Sequence, residues 1–235
     1  MRVTFLAHSG FFVELERVCL LFDYWRGELP PLPDKPLRIF VSHGHEDHFN
    51  PAVFALDDGT REVRFLLGKD IRLSPSRREK WGLTDETAEK CVRMGGGERL
   101  ELPELTVETL TSTDEGVAFL VTAEGQSIFH AGDLNWWHWE GEPDPWNPDM
   151  ERDFKAYAEP LRGRSVDLAL LPLDHRLGTD GFRGPEYFLH LADIRRFLPM
   201  HLWRKFGFVE EFLTRFPEFR DRTLLPCADG QVFEL

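Results

Sequence analysis

Apolar residues open the chain in short runs at 2–7, 11–16 and 18–23, rich in aromatic and β-branched side chains and separated by Ser9-Gly10 and Arg17. Runs of this length between turn residues predict the strands of a meander. A proline-rich stretch at 29–36 predicts a loop, and the unbroken apolar run at 37–42 predicts a buried strand. Beyond it the pattern predicts a short helix at 51–56, a strand at 62–68 and a charged segment at 74–90 that is helical or irregular, before Gly95, Gly96 and Gly97 interrupt the chain. The second half repeats this grammar. Strands are expected at 105–110, 116–122 and 126–131, then an aromatic loop, a helix at 150–161, a strand at 167–171, helices at 185–197 and 209–216, and two closing strands.

Two blocks of strands, each followed by strand and helix alternation, predict an α/β fold. Two mixed sheets pack face to face with helices outside, an αββα four-layer sandwich whose loops gather at one edge. With 235 residues, no linker and no short-period repeat, one domain over 1–235 is expected. Hydrophobic residues at 42% and charged residues at 29% match a soluble globular chain. The formal net charge of −13 argues against long nucleic acid or an acidic membrane surface as a partner. A small-molecule substrate, even a phosphorylated one, remains compatible, because bound metal supplies positive charge locally. Cys19, Cys91 and Cys227 are widely spaced and form no CxxC pair, so neither a disulfide framework nor a zinc knuckle is indicated. A cytoplasmic location is expected, and no apolar run approaches the roughly 18 residues of a membrane helix. The sequence does not fix an oligomeric state.

The chemistry concentrates where the strand at 37–42 ends. His43 and His45 lie two apart on extended chain, where i and i+2 side chains point the same way, so they can bind one metal together. Asp47 and His48 follow at the turn into the next helix and aim across the same pocket at a neighbouring metal. Imidazole and carboxylate are the donors expected for zinc and similar ions. The bland alternative is a polar loop with surface histidines. With only nine histidines in the chain, however, HxHxDH would arise in roughly one shuffled sequence in a thousand.

With these residues the chain resembles the metallo-β-lactamase superfamily, and within it metal-dependent hydrolases similar to the ascorbate-6-phosphate lactonase branch. The resemblance runs through LAHSGFFVELE, LLFD ending at Asp23, VSHGHEDHF, IFHAGD with Asp133, and LPMH with His201. It implies two divalent metal ions, zinc foremost and manganese or iron as alternatives, with Asp133 bridging them and His201 completing the second site beside Asp47 and His48. Read by themselves, Asp133 could be a turn or capping aspartate and His201 a satisfied core histidine. The family usually supplies a further histidine between the first motif and the bridging aspartate. Here the matching stretch is TLTSTDEGVAF, which holds none, and the alignment puts Asp114 in that place, with a turn cap as its alternative role. His130, three residues before Asp133, is the other candidate for that place, but its position within a strand points to supporting the ligands rather than binding metal, and Asp23 and Asp174 are expected to steady the metal loops by hydrogen bonds.

His8 is a candidate donor to substrate or leaving group, or else a turn histidine bonding backbone. Trp136, Trp137, His138 and Trp139, with Trp146 close behind, are expected to wall a substrate pocket or to fold back as local core or a dimer interface. Trp203 and Arg204 are candidates for the opposite wall, Arg204 being equally readable as a surface charge. The expected reaction is attack by metal-activated water on an ester, lactone, amide or phosphodiester, with Asp47 orienting the water and taking its proton. Two rivals stand beside it. A di-iron redox protein is disfavoured because that branch typically carries glutamate where this chain has His45. A non-catalytic metal- or ligand-binding protein draws support from the missing third histidine.

Overall fold

The computed structural model describes residues 1–235. Six strands build the first sheet in chain order: β1 (Arg2–Ala7), β2 (Gly10–Glu14), β3 (Cys19–Phe22), β4 (Leu37–Val41), β5 (Val63–Gly68) and β6 (Cys91–Met94). The second sheet takes β7 (Arg99–Glu101), β8 (Leu105–Thr111), β9 (Val117–Ala123) and β10 (Gln126–His130). After a two-residue strand β11 (Ser165–Val166) it gains β12 (Leu168–Pro172), and after β13 (Asp193–Ile194) it gains β14 (Phe197–Met200). A last strand, β15 (Gln231–Glu234), returns to the first sheet beside β1. The sheet orders are β15-β1-β2-β3-β4-β5-β6 and β14-β12-β10-β9-β8-β7. Both sheets are mixed, with parallel pairing across β3, β4, β5 and β6 and across β10, β12 and β14.

Period-two alternation sorts the first sheet's side chains between two apolar layers. Phe11, Val13, Leu20, Phe22 and Phe40 enter the main core, while Phe12, Cys19, Leu21, Ile39 and Val41 enter a smaller one behind the sheet. Phe40 meets Phe119 of the opposing sheet edge to face at 5.2 Å, which puts the main core between the sheets. Short helices α1 (Pro75–Lys80) and α2 (Asp85–Glu89) belong to the segment covering the smaller core, into which Phe54, Ile71 and Leu83 pack. Helices α3 (Trp146–Ala158), α4 (Arg183–Leu191) and α5 (Phe208–Arg215) cover the second sheet, where Phe188 packs on both Phe129 and Phe154. The four layers are those expected. No helix is long and apolar enough to cross a membrane.

Several local expectations need correction. The helix expected at 185–197 stops at Leu191, because Ala192 turns to extended geometry and the next residues pair in parallel, Asp193–Ile194 with β11 and Phe197–Met200 with β12. Pairing thus overrides a continuous apolar pattern. Only one closing strand follows α5; Thr223 makes an isolated bridge to Phe197 and nothing longer. The segment at 51–56 is a 3-10 helix capped by Asn50. Strands β6 and β7 were not anticipated, being short and half exposed. The helix expected from 150 begins at Trp146, so Trp146 and Met150 stand four apart on one helical face.

Candidate metal centre

All donors leave the sheets at one edge. Ser42 and His43 follow β4, Asp114 follows β8, Asp133 follows β10, Asp174 follows β12 and His201 follows β14, while His8 follows β1. The pairing directions bring the carboxyl ends of these strands to the same side. Backbone bonds stitch the two sheets there, from Val117 N–H to Ser42 O at 3.1 Å and from His201 N–H to His8 O at 3.1 Å. Close approach is possible because Gly116, at φ +69°, presents no side chain: a Cβ would stand 1.9 Å from Ser42 O and 2.7 Å from the His43 Cβ.

Two donor sets result. His43, His45, Asp114 and Asp133 can each place one ligand atom within 4.8 Å of the others, and so can His8, Asp47, His48 and His201. Asp133 joins them. Its Oδ2 lies 3.7 Å from His43 Nε2, while its Oδ1 lies 3.2 Å from His48 Nε2 and 3.6 Å from His201 Nε2. Asp114 Oδ2 stands 3.5 Å from His45 Nδ1, which places this carboxylate where the sequence comparison put a substitute for the missing histidine. Its backbone N–H donates to Ser112 Oγ at 3.1 Å, so the side chain that caps this turn is that of Ser112 and the Asp114 carboxylate is left facing the donor set.

The rings are held from behind. Asp23 accepts from Ser42 N–H at 2.7 Å, from Ser42 Oγ–H at 2.6 Å and from His48 Nδ1–H at 2.7 Å. Because the Ser42 hydroxyl is committed to Asp23, its oxygen accepts from His43 Nδ1–H at 2.9 Å, leaving the His43 Nε2 lone pair facing inward. Asp174 accepts from His201 Nδ1–H at 2.8 Å and likewise turns Nε2 inward. Asp70, which sequence reasoning missed, accepts from Gly44 N–H at 2.7 Å and pins the loop between His43 and His45. His130 stays outside both sets: it donates to Ser9 O, accepts from Gly132 N–H and stacks on Phe22.

Charge and burial shape the donors. Burial pushes His8 and His43 down to about 4, so both are neutral lone-pair donors near pH 7. Burial would also lower His48, but Asp133 and Asp23 outweigh it and hold its pKa well above the usual value. Burial opposes ionisation of Asp47 and Asp133, yet the surrounding histidines keep both below the ordinary carboxylate range. For Asp114, burial and the nearby Asp133 charge raise the pKa. His8 Nε2, His48 Nε2 and Asp133 Oδ1 are buried without a hydrogen-bond partner. Each such atom costs about 1–3 kcal/mol if left so. Three inward-facing orphans among imidazole and carboxylate donors fit divalent cations by chemistry and by position.

Beside the donor sets lies a cavity of about 310 Å³, which His45, Asp47, Asp114, Asp133 and His201 reach. Of the aromatic residues expected to wall it, Trp137 and Trp139 do, joined by Trp146 and Met150 from α3. Trp137 Nε1–H donates to Asp133 O at 2.9 Å, which fixes the indole beside Asp133. Trp136 turns away into the core against Phe154 and Tyr187. His138 sits 4.0 Å from Asp180 and does not line the cavity. Trp203 also lies outside it, packed on His8 with ring centroids 4.5 Å apart, and Arg204 pairs with Asp229. His8 is buried behind Asp47, 3.3 Å from its carboxylate. Thr113 and Arg176 line the cavity and were not anticipated. Arg176 follows the strand-end residue Asp174, the one sequence signal that could have pointed to it.

Comparison with known proteins gives consistent findings. The family model described as the Beta-lactamase superfamily domain matches residues 2–137, more than half of the chain. A UPF0173 metal-dependent hydrolase of Opitutus terrae is 28% identical over 229 residues, covering 86% of this chain and 84% of that protein. Among solved structures, Igni18, a metallo hydrolase from Ignicoccus hospitalis, aligns with a TM-score of 0.62 at 18% identity over 100% of this chain and 98% of the other. The metallo-β-lactamase fold protein YhfI from Bacillus subtilis aligns with a TM-score of 0.65 at 16% identity over 99% of each chain. At such identities these likenesses speak for the fold.

Proposed function

Because the chain belongs to the Beta-lactamase superfamily domain family, we propose that it is a metal-dependent hydrolase holding two divalent cations, zinc foremost, and cleaving an ester, lactone or phosphodiester bond of a small molecule. Lactones stay in this set through the sequence resemblance to the ascorbate-6-phosphate lactonase branch. One observation carries the reading: two four-donor sets meet at Asp133, whose two carboxylate oxygens face different sets.

His43, His45 and Asp114 would hold one cation and Asp47, His48 and His201 the other, with Asp133 between them. The cations would supply Lewis acidity, acidifying a water toward neutral pH and offsetting charge on the oxygen under attack. Asp47 reaches both the cavity and the second donor set, and so is placed to orient that water and take its proton. His8, buried 3.3 Å from the Asp47 carboxylate, offers that second set a further imidazole nitrogen. Trp137, Trp139, Trp146 and Met150 offer flat apolar surface to the substrate body.

Metal analysis combined with turnover of 4-nitrophenyl esters and bis(4-nitrophenyl) phosphate tests this. About two ions per chain are expected, with activity lost in Asp47→Ala and His45→Ala. Fewer than one ion in folded, metal-supplemented protein would favour the non-catalytic binding reading. Unchanged activity in both variants would show the site to be misassigned.

A further inference from the structure

The cavity beside the donor sets holds one arginine or lysine, Arg176, in a protein whose formal charge is −13. It stands in the 3-10 segment His175–Phe182, which Asp174 caps by accepting from Arg176 N–H at 2.9 Å. The guanidinium is fixed on three sides. Its Nε and Nη2 edge grips the Asp174 carboxylate at 2.9 and 2.5 Å. Trp203 and Trp139 flank it, with ring centroids 4.7 and 5.7 Å from Cζ. Its Nη1 makes no hydrogen bond within the protein, and the side chain is half exposed toward the cavity. A guanidinium so immobilised loses little conformational freedom when it binds a planar or tetrahedral anion, which is the condition for strong charge-assisted recognition.

Asp174 gives this cation a defined place relative to the reacting centre, because the same carboxylate also accepts from His201 Nδ1–H at 2.8 Å and from Trp203 Nε1–H at 3.3 Å. One buried carboxylate therefore orients a second-set histidine and the only fixed cation of the cavity. The apolar part of the cavity lining comes from Trp137, Trp139, Trp146 and Met150. The acidic groups at the cavity, Asp47, Asp114 and Asp133, all belong to the donor sets.

Resting on the hydrolase reading above, we infer that the substrate carries an anionic group, a carboxylate or a phosphate, on an apolar or aromatic body, and that Arg176 binds this anion while the susceptible bond lies against the donor sets. Arg176 is thereby the residue that determines specificity.

Two arms test the inference. In the first, zinc-loaded protein is given mono-4-nitrophenyl succinate and its neutral counterpart 4-nitrophenyl butyrate, which share a leaving group. The wild type is expected to favour the anionic ester, and Arg176→Gln to lower the ratio of the two kcat/KM values by roughly ten- to a hundredfold through KM, with Arg176→Lys restoring part of it. In the second arm, binding of benzoate, phenyl phosphate and neutral benzamide is followed by tryptophan fluorescence, without turnover. Benzoate or phenyl phosphate is expected to bind more tightly than benzamide, and whichever gains more identifies the anion. That preference should disappear in Arg176→Gln at unchanged zinc content and persist in the surface control Arg152→Gln. If the wild type shows no preference for the anions, or the preference survives Arg176→Gln, the inference is overturned. If no ester is hydrolysed while Arg176-dependent anion binding remains, the hydrolase reading fails and the anion subsite stands.

Discussion

Replacing Asp23 by Asn keeps the volume behind His48 but trades a carboxylate that accepts three hydrogen bonds for an amide with one acceptor oxygen. His48 Nδ1–H then competes with the Ser42 groups for that oxygen, and the ring is no longer pinned with Nε2 inward. Metal affinity of the second set is expected to fall by roughly 10–100-fold, read by competition with a zinc chelator. Asp114 makes a complementary case. Asp114→Ala should release about one of two ions, whereas Asp114→His, which restores the family's usual donor, should keep both, as counted by metal analysis. The histidine motif was legible because its donors share one strand end, and Asp114 because strand 105–110 fixed the alignment. Arg176 was not, since a single arginine in irregular backbone has no periodicity to aim it. The same holds for the consecutive indoles of Trp136 and Trp137, which point to opposite sides, one into the core and one to the cavity.

Among elements, the turn between β8 and β9 bears most directly on the site, because Gly116 lets it lie against the end of β4. Gly116→Ala adds left-handed strain to a clash with backbone that cannot swing away. Gly59, at φ +78° with open space around it, provides the matched control. Gly59→Ala should cost about 1 kcal/mol and Gly116→Ala at least about 2–3 kcal/mol, with loss of metal from the first set only in the latter; urea unfolding and metal analysis separate them. Most strands were legible from alternation or from unbroken apolar runs. The end of α4 was not, because the extended geometry after Leu191 comes from partners on β11 and β12 that lie far away in sequence.

For the molecule as a whole, stability and metal content are linked. A cation that binds the folded state alone adds about 2.7 kcal/mol when present at a hundred times its dissociation constant. For a chain of this size that corresponds to roughly 5–10 °C in Tm per ion, so EDTA should lower the melting temperature by at least that amount, by about twice as much if two ions are bound, and zinc should restore it. Phe119→Ala, which removes one aromatic contact between the sheets, should cost roughly 3–5 kcal/mol with or without metal, because it opens a cavity in the shared core. The layered architecture could be read from the order of apolar runs, since it needs only the alternation of strands and helices. The pocket could be read only in part: Trp137 and Trp139 were expected at its wall, whereas Thr113, Met150 and Arg176 reach it from loop and helix positions that nothing in the sequence aims there.

The donors are spread along the chain from His8 to His201, and the backbone bond joining those two residues closes the second set. During synthesis at about 5–20 residues per second, the HxHxDH segment waits on the order of ten to thirty seconds before His201 is made. A nascent chain thus displays a cluster of imidazoles and carboxylates well before it can encircle an ion with them. A complete donor set therefore exists only in the finished fold, and any metal captured earlier would be held by fewer donors and free to exchange.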